Sequence, residues 1–569
     1  MKMRRTVRIH ILFLSVLFLT ISWLTVPAAA QSGINSTVEV ERDYEGHIAR
    51  TVKSPIDAPV DDSLLNFKLK FDYTTFYNPY KDLYEFSPVM TLGPAAEGNV
   101  VYPWLYARLA ASYPWTPSAD LYISPRFGSR FSLVLYANHD SFWGSTPQVR
   151  YYGNEAGYSG LKVPGDRMKN RAGAAFGFRW RTGELRLDAS YSGSMYALAM
   201  DSQFAGNISH ADIWNSYSNK FDHFRTGLSI RSTDPEPNAF YYDLDFGYRY
   251  FNNRHGVSEH LADADVSLGA TVKSEHKIYL QFSGTFYNYG LWKISPMYRW
   301  ERDRWRVRAG MTVSSVYGNC SRKSGGGFLI YPDASVHFEA ARNALWLYLN
   351  VSGENRLYTK YDLYGINPWM LNSNGMPSYQ SAVPVSTELG LNGLIRDRFS
   401  YSLGVNYSML RNHLSFVAMS YNNSWFQMVD LRDLHMLKVT GTLKWQSPSF
   451  QAWAELNYRG FSNPDAAIMI PAFDVDAVLE YNLRQRLFIR ADCYFRTSTT
   501  GWSAASAASA ASAYRVPAFV DVGLRISYAV NPHVMVFVEG NNLANSKIQY
   551  FLNYIEPGVN IGAGICLKL

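Results

Sequence analysis

Cysteine is scarce in this 569-residue chain, at three residues: Cys320, Cys493 and Cys566. So small and odd a number cannot staple an exported fold with a disulfide framework, and no C-x-x-C pair or Cys/His spacing suits zinc. Charge of one sign is lacking too. The first thirty residues hold four of the 54 Lys and Arg, so against 47 Asp and Glu the remainder carries only +3. That excludes a basic nucleic-acid binder, and no nucleic-acid partner is expected. Beyond residue 26 no apolar run has the length of a transmembrane helix. The stretch Ser324-Gly325-Gly326-Gly327 lacks the Gly-Lys-Ser/Thr ending of a phosphate-binding loop, and the twelve His show no spacing such as H-E-x-x-H. No cofactor or metal is expected.

What is present begins with an export signal. Lys2, Arg4, Arg5 and Arg8 form a basic region, Ile9 to Val26 is uncharged and apolar, and Ala28-Ala29-Ala30 offers small residues for cleavage between Ala30 and Gln31. The competing reading is a retained membrane anchor. No Cys follows the site, which argues against a lipid anchor. Aromatic residues make up 15% of the chain, with 41 Tyr and 15 Trp, yet mean hydropathy is only −0.19. Such a chain is rich in amphipathic rings without being uniformly apolar, as a sheet with one lipid face and one wet face requires.

The dominant pattern has period two. Val559, Ile561, Ala563, Ile565, Leu567 and Leu569 lie on one face of an extended strand, opposite Asn560, Gly562, Gly564, Cys566 and Lys568. Val520, Val522, Leu524, Ile526 and Tyr528 oppose Asp521, Gly523, Arg525 and Ser527. Tyr242, Leu244, Phe246, Tyr248 and Tyr250 oppose Tyr241, Asp243, Asp245, Gly247 and Arg249. Leu487, Ile489, Ala491, Cys493 and Phe495 oppose Phe488, Arg490, Asp492 and Tyr494. A soluble sandwich would also alternate. Here charged and small residues recur opposite the apolar stripe, and Tyr or Trp closes many stripes. Both features suit a lipid-facing exterior with aromatic girdles and a hydrated lumen.

Ten short polar connections are candidate tight turns: Gly128–Arg130, Thr182–Glu184, Asp234–Pro237, Ser274–His276, Glu301–Arg304, Arg342–Ala344, Arg396–Arg398, Gln446–Ser449, Arg484–Arg486 and Val530–Pro532. Each interval between them holds two strands. With a pair before the first turn (104–113 and 118–127) and a pair after the last (534–541 and 559–569), the total is about 22. The expected fold is all-β: a transmembrane antiparallel barrel over 101–569, closed by pairing of the terminal strand with residues 104–113. Long connections are expected at 138–173, 197–224, 317–328, 356–384 and 497–515, with the Ala/Ser run Ser503–Ala513 as a mobile surface loop. Residues 1–30 are the signal peptide. Residues 31–100 break the rhythm and are expected to be an extended periplasmic segment, partly in the barrel mouth.

The segment Val536-Phe537-Val538-Glu539-Gly540-Asn541-Asn542-Leu543, followed by Tyr550, Tyr554, Pro557-Gly558 and the strand through Gly562 and Gly564, resembles the end of a TonB-dependent receptor barrel. That family's barrels have 22 strands. About seventy residues stand between the signal and the barrel, too few for the family's usual plug domain. Tyr44-Glu45-Gly46 and Asp62-Ser63-Leu64 leading into Phe71-Asp72-Tyr73 resemble plugless barrels of the Bacteroidetes type. The final Leu569 departs from the aromatic that usually ends such proteins. Ser36, Thr37, Val38, Glu39 and Val40 resemble a TonB box, which would pair by strand addition.

The resemblance implies solute transport or reception across the outer membrane of a diderm bacterium. The expected partners are outer-membrane lipid, an unknown solute, and TonB or another periplasmic protein. The alternatives are a passive porin-like channel, an assembly partner of a periplasmic protein, or an outer-membrane hydrolase. For catalysis the local places to look are His139-Asp140-Ser141 and His210-Ala211-Asp212, both expected on outer loops; adjacency alone makes no triad, and the chain is expected not to be an enzyme. The candidate lumen charges are Asp243, Asp245, Arg249, Arg490, Asp492, Asp521 and Arg525. Pairing across neighbouring strands is the plain structural role for them, and a field that selects solutes is the functional one.

Overall fold

The computed structural model describes residues 104–569 apart from 126, 129, 200–208, 233–239, 273–274, 319, 322–326, 343, 372–377, 397, 420–424, 432, 448, 465–466, 485 and 505–511. The signal with its Ala30/Gln31 cleavage point, the 31–100 segment and the TonB-box-like Thr37, Val38, Glu39 and Val40 lie outside the described residues.

Twenty-two antiparallel strands form a closed ring in which each pairs with the next in chain order. Closure is made by Leu105–Tyr113 against Asn560–Lys568, with Ala110 opposite Gly564 and Tyr113 opposite Ile561. A further two-residue strand, Cys320–Ser321, joins the sheet in parallel with Ser378 and Tyr379. Ten connections at one end of the ring are short. The first and last strands also begin and end there, since Leu105 exchanges backbone hydrogen bonds with Leu569.

The period-two pattern explains the wall. Leu109, Ile278, Ile330, Leu389 and Ile561 point outward and are each more than half exposed. An apolar surface of that extent is untenable in water and natural in lipid. Exterior His–Tyr pairs lie near the strand ends. His260 and His435 bond Tyr248 and Tyr407 at the long-loop end, and His276 bonds Tyr298 at the short-turn end. These amphipathic rings suit the two membrane–water interfaces. Inside, aromatic rings lie over glycines on neighbouring strands, as Tyr348 does over Gly390 and Tyr241 over Gly269. A side chain at either glycine would meet the ring.

Two expectations on the connections need correction. Many strands are longer than the 9–11 residues a bilayer needs: Arg167–Trp180 has 14 and Ser218–Ser232 has 15. The wall therefore continues into what 138–173, 197–224 and 356–384 assigned to loops. Polar residues occupy both faces near the strand ends, so alternation fades while the hydrogen-bond ladder persists. The Ala/Ser run is also not simply a loop. Residues 505–511 lie outside the described residues, but Thr499–Ser503 pairs with Ser512–Val516 as a hairpin.

That hairpin belongs to a second sheet of six strands, built from three long connections. The other hairpins are Ser145–Tyr152 with Glu155–Pro164, and His413–Ala418 with Phe426–Leu431. Single parallel bridges join them, Ala418 to Ser503 and Arg515 to Glu155. Two short helices complete the long-loop end, α1 (His210–Asn215) and α2 (Lys360–Ile366). Each opens on a capping box, Ser209 with Asp212 and Thr359 with Asp362, which satisfies backbone N–H groups that a two-turn helix would leave bare.

Candidate functional site

The largest apolar cluster in the described chain is built mostly from the long connections, packed on wall residues near the strand ends such as Phe221, Phe251 and Tyr494. It joins Leu363, Tyr364 and Met370 around α2, Phe416 and Phe426 of one cap hairpin, Ile468 to Ile470, and Phe551 and Leu552. These segments are rooted on different sides of the ring. Tyr151 packs on Tyr514 at 4.1 Å between ring centres and donates to Asn553 Oδ1 at 2.7 Å. Trp369 stacks on Tyr554 at 3.7 Å and donates from Nε1 to the Ala197 carbonyl at 2.9 Å. Loops that start from opposite walls and share one core lie across the mouth, so they form a cap over the long-loop end.

Polar groups tie the cap to the wall. Glu259 accepts from the backbone N–H of Lys360 and Tyr361 at the start of α2, at 3.0 and 2.8 Å, a favourable place for a carboxylate. Arg249 pairs with Asp362 of the same helix and with Asp263 on the neighbouring strand. Arg167 pairs with Glu556 of the last long connection. Arg496, 1% exposed, donates to the Gln549 carbonyl at 2.6 Å and lies against the rings of Phe519 and Tyr550.

The candidate lumen charges all face inward. Asp243 and Asp245 pair with Arg231, Arg490 with Asp492 and Glu480, and Arg525 with Glu539. Asp521 is buried close beneath the Asn542 segment and has no ion pair among the described residues. The wall thus brings most of these charges into short cross-strand pairs. Sequence reasoning missed the partners Arg231, Asp263, Asp362, Glu480 and Glu539, because pairing depends on register. It also missed the buried ion pair Arg459–Asp474, where the wall meets the cap.

Of the local catalytic candidates, His210 stands on α1 and bonds Asp166 at 2.5 Å, while Asp212 is spent on the Ser209 cap. His139, Asp140 and Ser141 are not on a loop as expected but within the strand Phe131–Phe142, near its long-loop end. Among the described residues no group of His, Cys, Asp and Glu is placed to hold a metal ion.

The cap carries its own acid sensitivity. His413 starts a cap hairpin, and burial pushes its pKa down from 6.5 to about 4. Above pH 6.5 the ring is neutral whether the hairpin is folded or not. Between 6.5 and 4 only the unfolded hairpin takes up the proton, so cap stability is full above 6.5 and lost as the pH falls, by up to about 3 kcal/mol. Hydrogen exchange of residues 413–418, corrected for intrinsic rates, is expected to accelerate at pH 5 relative to pH 7, and His413→Gln is expected to flatten that dependence.

No family model and no curated protein matches the chain by sequence. Solved structures match by shape. The siderophore receptor PirA from Acinetobacter baumannii superposes with a TM-score of 0.60 at 10% identity, over 83% of this chain and 81% of that one. The FrpB iron transporter from Neisseria meningitidis gives 0.59 at 9% identity, over 83% and 82%. The copper transporter OprC gives 0.59 at 13% identity, over the same shares. With its closed ring of 22 strands, this chain has a TonB-dependent receptor-like barrel fold.

Proposed function

We propose that this chain sits in the outer membrane and takes part in the transport or reception of a solute there, through a mouth gated by the long-loop cap. The observation that carries this reading is the shared apolar core of loops rooted on opposite walls. A general diffusion channel has no need of one. The apolar exterior and the inward ion pairs support a membrane-spanning wall with a wet lumen. The short-turn end, where the described strands begin and end, then faces the periplasm. The TonB-box-like sequence Thr37 to Val40 is the segment we assign to a periplasmic partner such as TonB. The names of the similar structures favour an iron- or copper-bearing solute over a bulk nutrient.

Conductance in planar bilayers tests the gate. The intact chain is expected to give no large steady steps, whereas the double variant Trp369→Ala with Phe551→Ala, which removes two rings from the cap core, is expected to give them. Large steps from the intact chain would make it a porin-like channel. Silence from both proteins would mean that the cap is not what closes the pore.

A further inference from the structure

The exterior of the barrel carries one arrangement that the transport reading does not use. On the strand Phe131–Phe142, His139 and Ser141 lie on the same outward face as Leu135, and the register sets His139 opposite Asn170 on the next strand. The imidazole uses both nitrogens. Nδ1–H donates to Asn170 Oδ1 at 2.7 Å, and Nε2 accepts from the Ser141 hydroxyl at 3.0 Å. Ser141 Oγ can also donate to the Pro117 carbonyl at 3.4 Å, a longer and weaker bond that competes with Nε2 for its one proton. The other exterior histidines behave differently. His260, His276 and His435 each bond one tyrosine hydroxyl through Nδ1, which is an anchoring pair. His139 bonds no tyrosine and stands between a hydroxyl and an amide oxygen.

A hydroxyl on one imidazole nitrogen, with a third group fixing the other, is the geometry of an activated serine nucleophile. We propose that Ser141, His139 and Asn170 form a serine hydrolase site on the outer face of the barrel, acting on carboxylic esters of membrane lipids. Its place selects the substrate. Ala137 and Ala172 are exposed directly along the strands from His139 and Asn170, with Leu121 beside Ala137 and Leu135 and Phe176 further along the apolar band. An acyl chain lying on that band brings its ester to the level of the imidazole. Ser141 itself is 3% exposed, under the turn that holds Pro117, and the ester gains Oγ by displacing that turn, whose Trp115 is largely exposed.

In the first step Ser141 Oγ bonds to the ester carbonyl carbon and its proton passes to His139 Nε2. The carbon–oxygen bond to the leaving alcohol then breaks, and that oxygen takes the proton from Nε2. Water attacks the acyl-serine by the same route, giving a fatty acid and restoring the hydroxyl. Ser141 and His139 are the catalytic residues. Asn170 is a positioning residue that holds the tautomer with Nδ1 protonated.

The test uses the purified full chain in detergent micelles and in phosphatidylethanolamine vesicles, with folding checked by the mobility difference of heated and unheated barrel on gels. A fluorophosphonate probe is expected to lose fluoride and form a phosphorus–oxygen adduct at Ser141, located by peptide mass. Free fatty acid is expected from the vesicles. Ser141→Ala and His139→Ala are expected to reduce both signals at least about a thousandfold. Asn170→Ala is expected to slow labelling and shift its pH profile, with Asn170→Asp restoring the rate. No adduct at Ser141 in a folded barrel overturns the proposal, as does fatty-acid release that Ser141→Ala leaves unchanged. The site does not depend on the gate, since a porin-like conductance leaves every one of these outcomes intact.

Discussion

A valine at position 564 is expected to leave the barrel unclosed. Gly564 lies on the inward face of the terminal strand, opposite Ala110 of the first strand and Phe537 of the penultimate one. A Cβ built there would stand 2.3 Å from the Phe537 ring, 2.5 Å from the Leu109 carbonyl oxygen and 2.8 Å from the Ala110 Cβ. The ring is itself held from the lumen side by the Arg525 guanidinium, 3.7 Å from its centre. Two of the three contacts are with the first strand, one of them a backbone atom of the closing ladder, so relief requires the seam to separate. Gly564→Ala is expected to cost roughly 1–3 kcal/mol and Gly564→Val to prevent folding. The heat-dependent gel shift of the folded barrel should be reduced in the first and absent in the second. Ala563→Val places the same bulk one residue away on the lipid face, where Ala563 is exposed. That variant should fold normally; if it fails as Gly564→Val does, crowding at the seam is not the reason. Removing the ring as well, in Gly564→Ala with Phe537→Ala, should recover part of the loss.

The seam was legible in the sequence because lipid outside and water inside impose alternation on every strand, up to the last residues. Val559 to Leu569 alternates throughout, and beside some twenty strands of the same two-faced kind it reads as a stave of a closed wall. The strand number was legible for a related reason, since each tight turn is chemically distinct from the strands it joins, as Arg484 to Arg486 is. The cap was not legible. Its core draws short apolar pieces, Ile468 to Ile470 and Phe551-Leu552, from connections with no period, and they meet through contacts such as Tyr151 with Asn553, 402 residues apart. The exterior trio was half legible. His139 and Ser141 are two apart, so a strand puts them on one face, but Asn170 enters only through the register across a long connection whose length the sequence does not translate into pairing.

Removing the carboxylate of Asp474 is expected to be the most damaging single change where the cap meets the wall. Asp474 faces Arg459, and the two side chains are 6% and 3% exposed. Asn457 donates to the same carboxylate at 3.2 Å, and the register sets Arg496 opposite Asp474 on the neighbouring strand. The Arg459 guanidinium is thus buried against this acid. Asp474→Ala takes away the carboxylate paired with the buried Arg459, at an expected cost of about 3–5 kcal/mol. The loss should fall on the cap first, because residues 467–470 run directly into Asp474 and pack in its core. It should appear as faster hydrogen exchange across 467–474 and the His413–Ala418 hairpin, with the short-turn end of the wall unchanged. Arg459→Met with Asp474→Leu removes both charges together and should cost much less than the single change. If Asp474→Ala exchanges as the parent does, the pair contributes no stability to the cap. If exchange rises equally in the distant wall, the pair holds the barrel as a whole. Accelerated exchange confined to the cap, together with new conductance steps in the same variant, would tie closure of the mouth to this one buried acid.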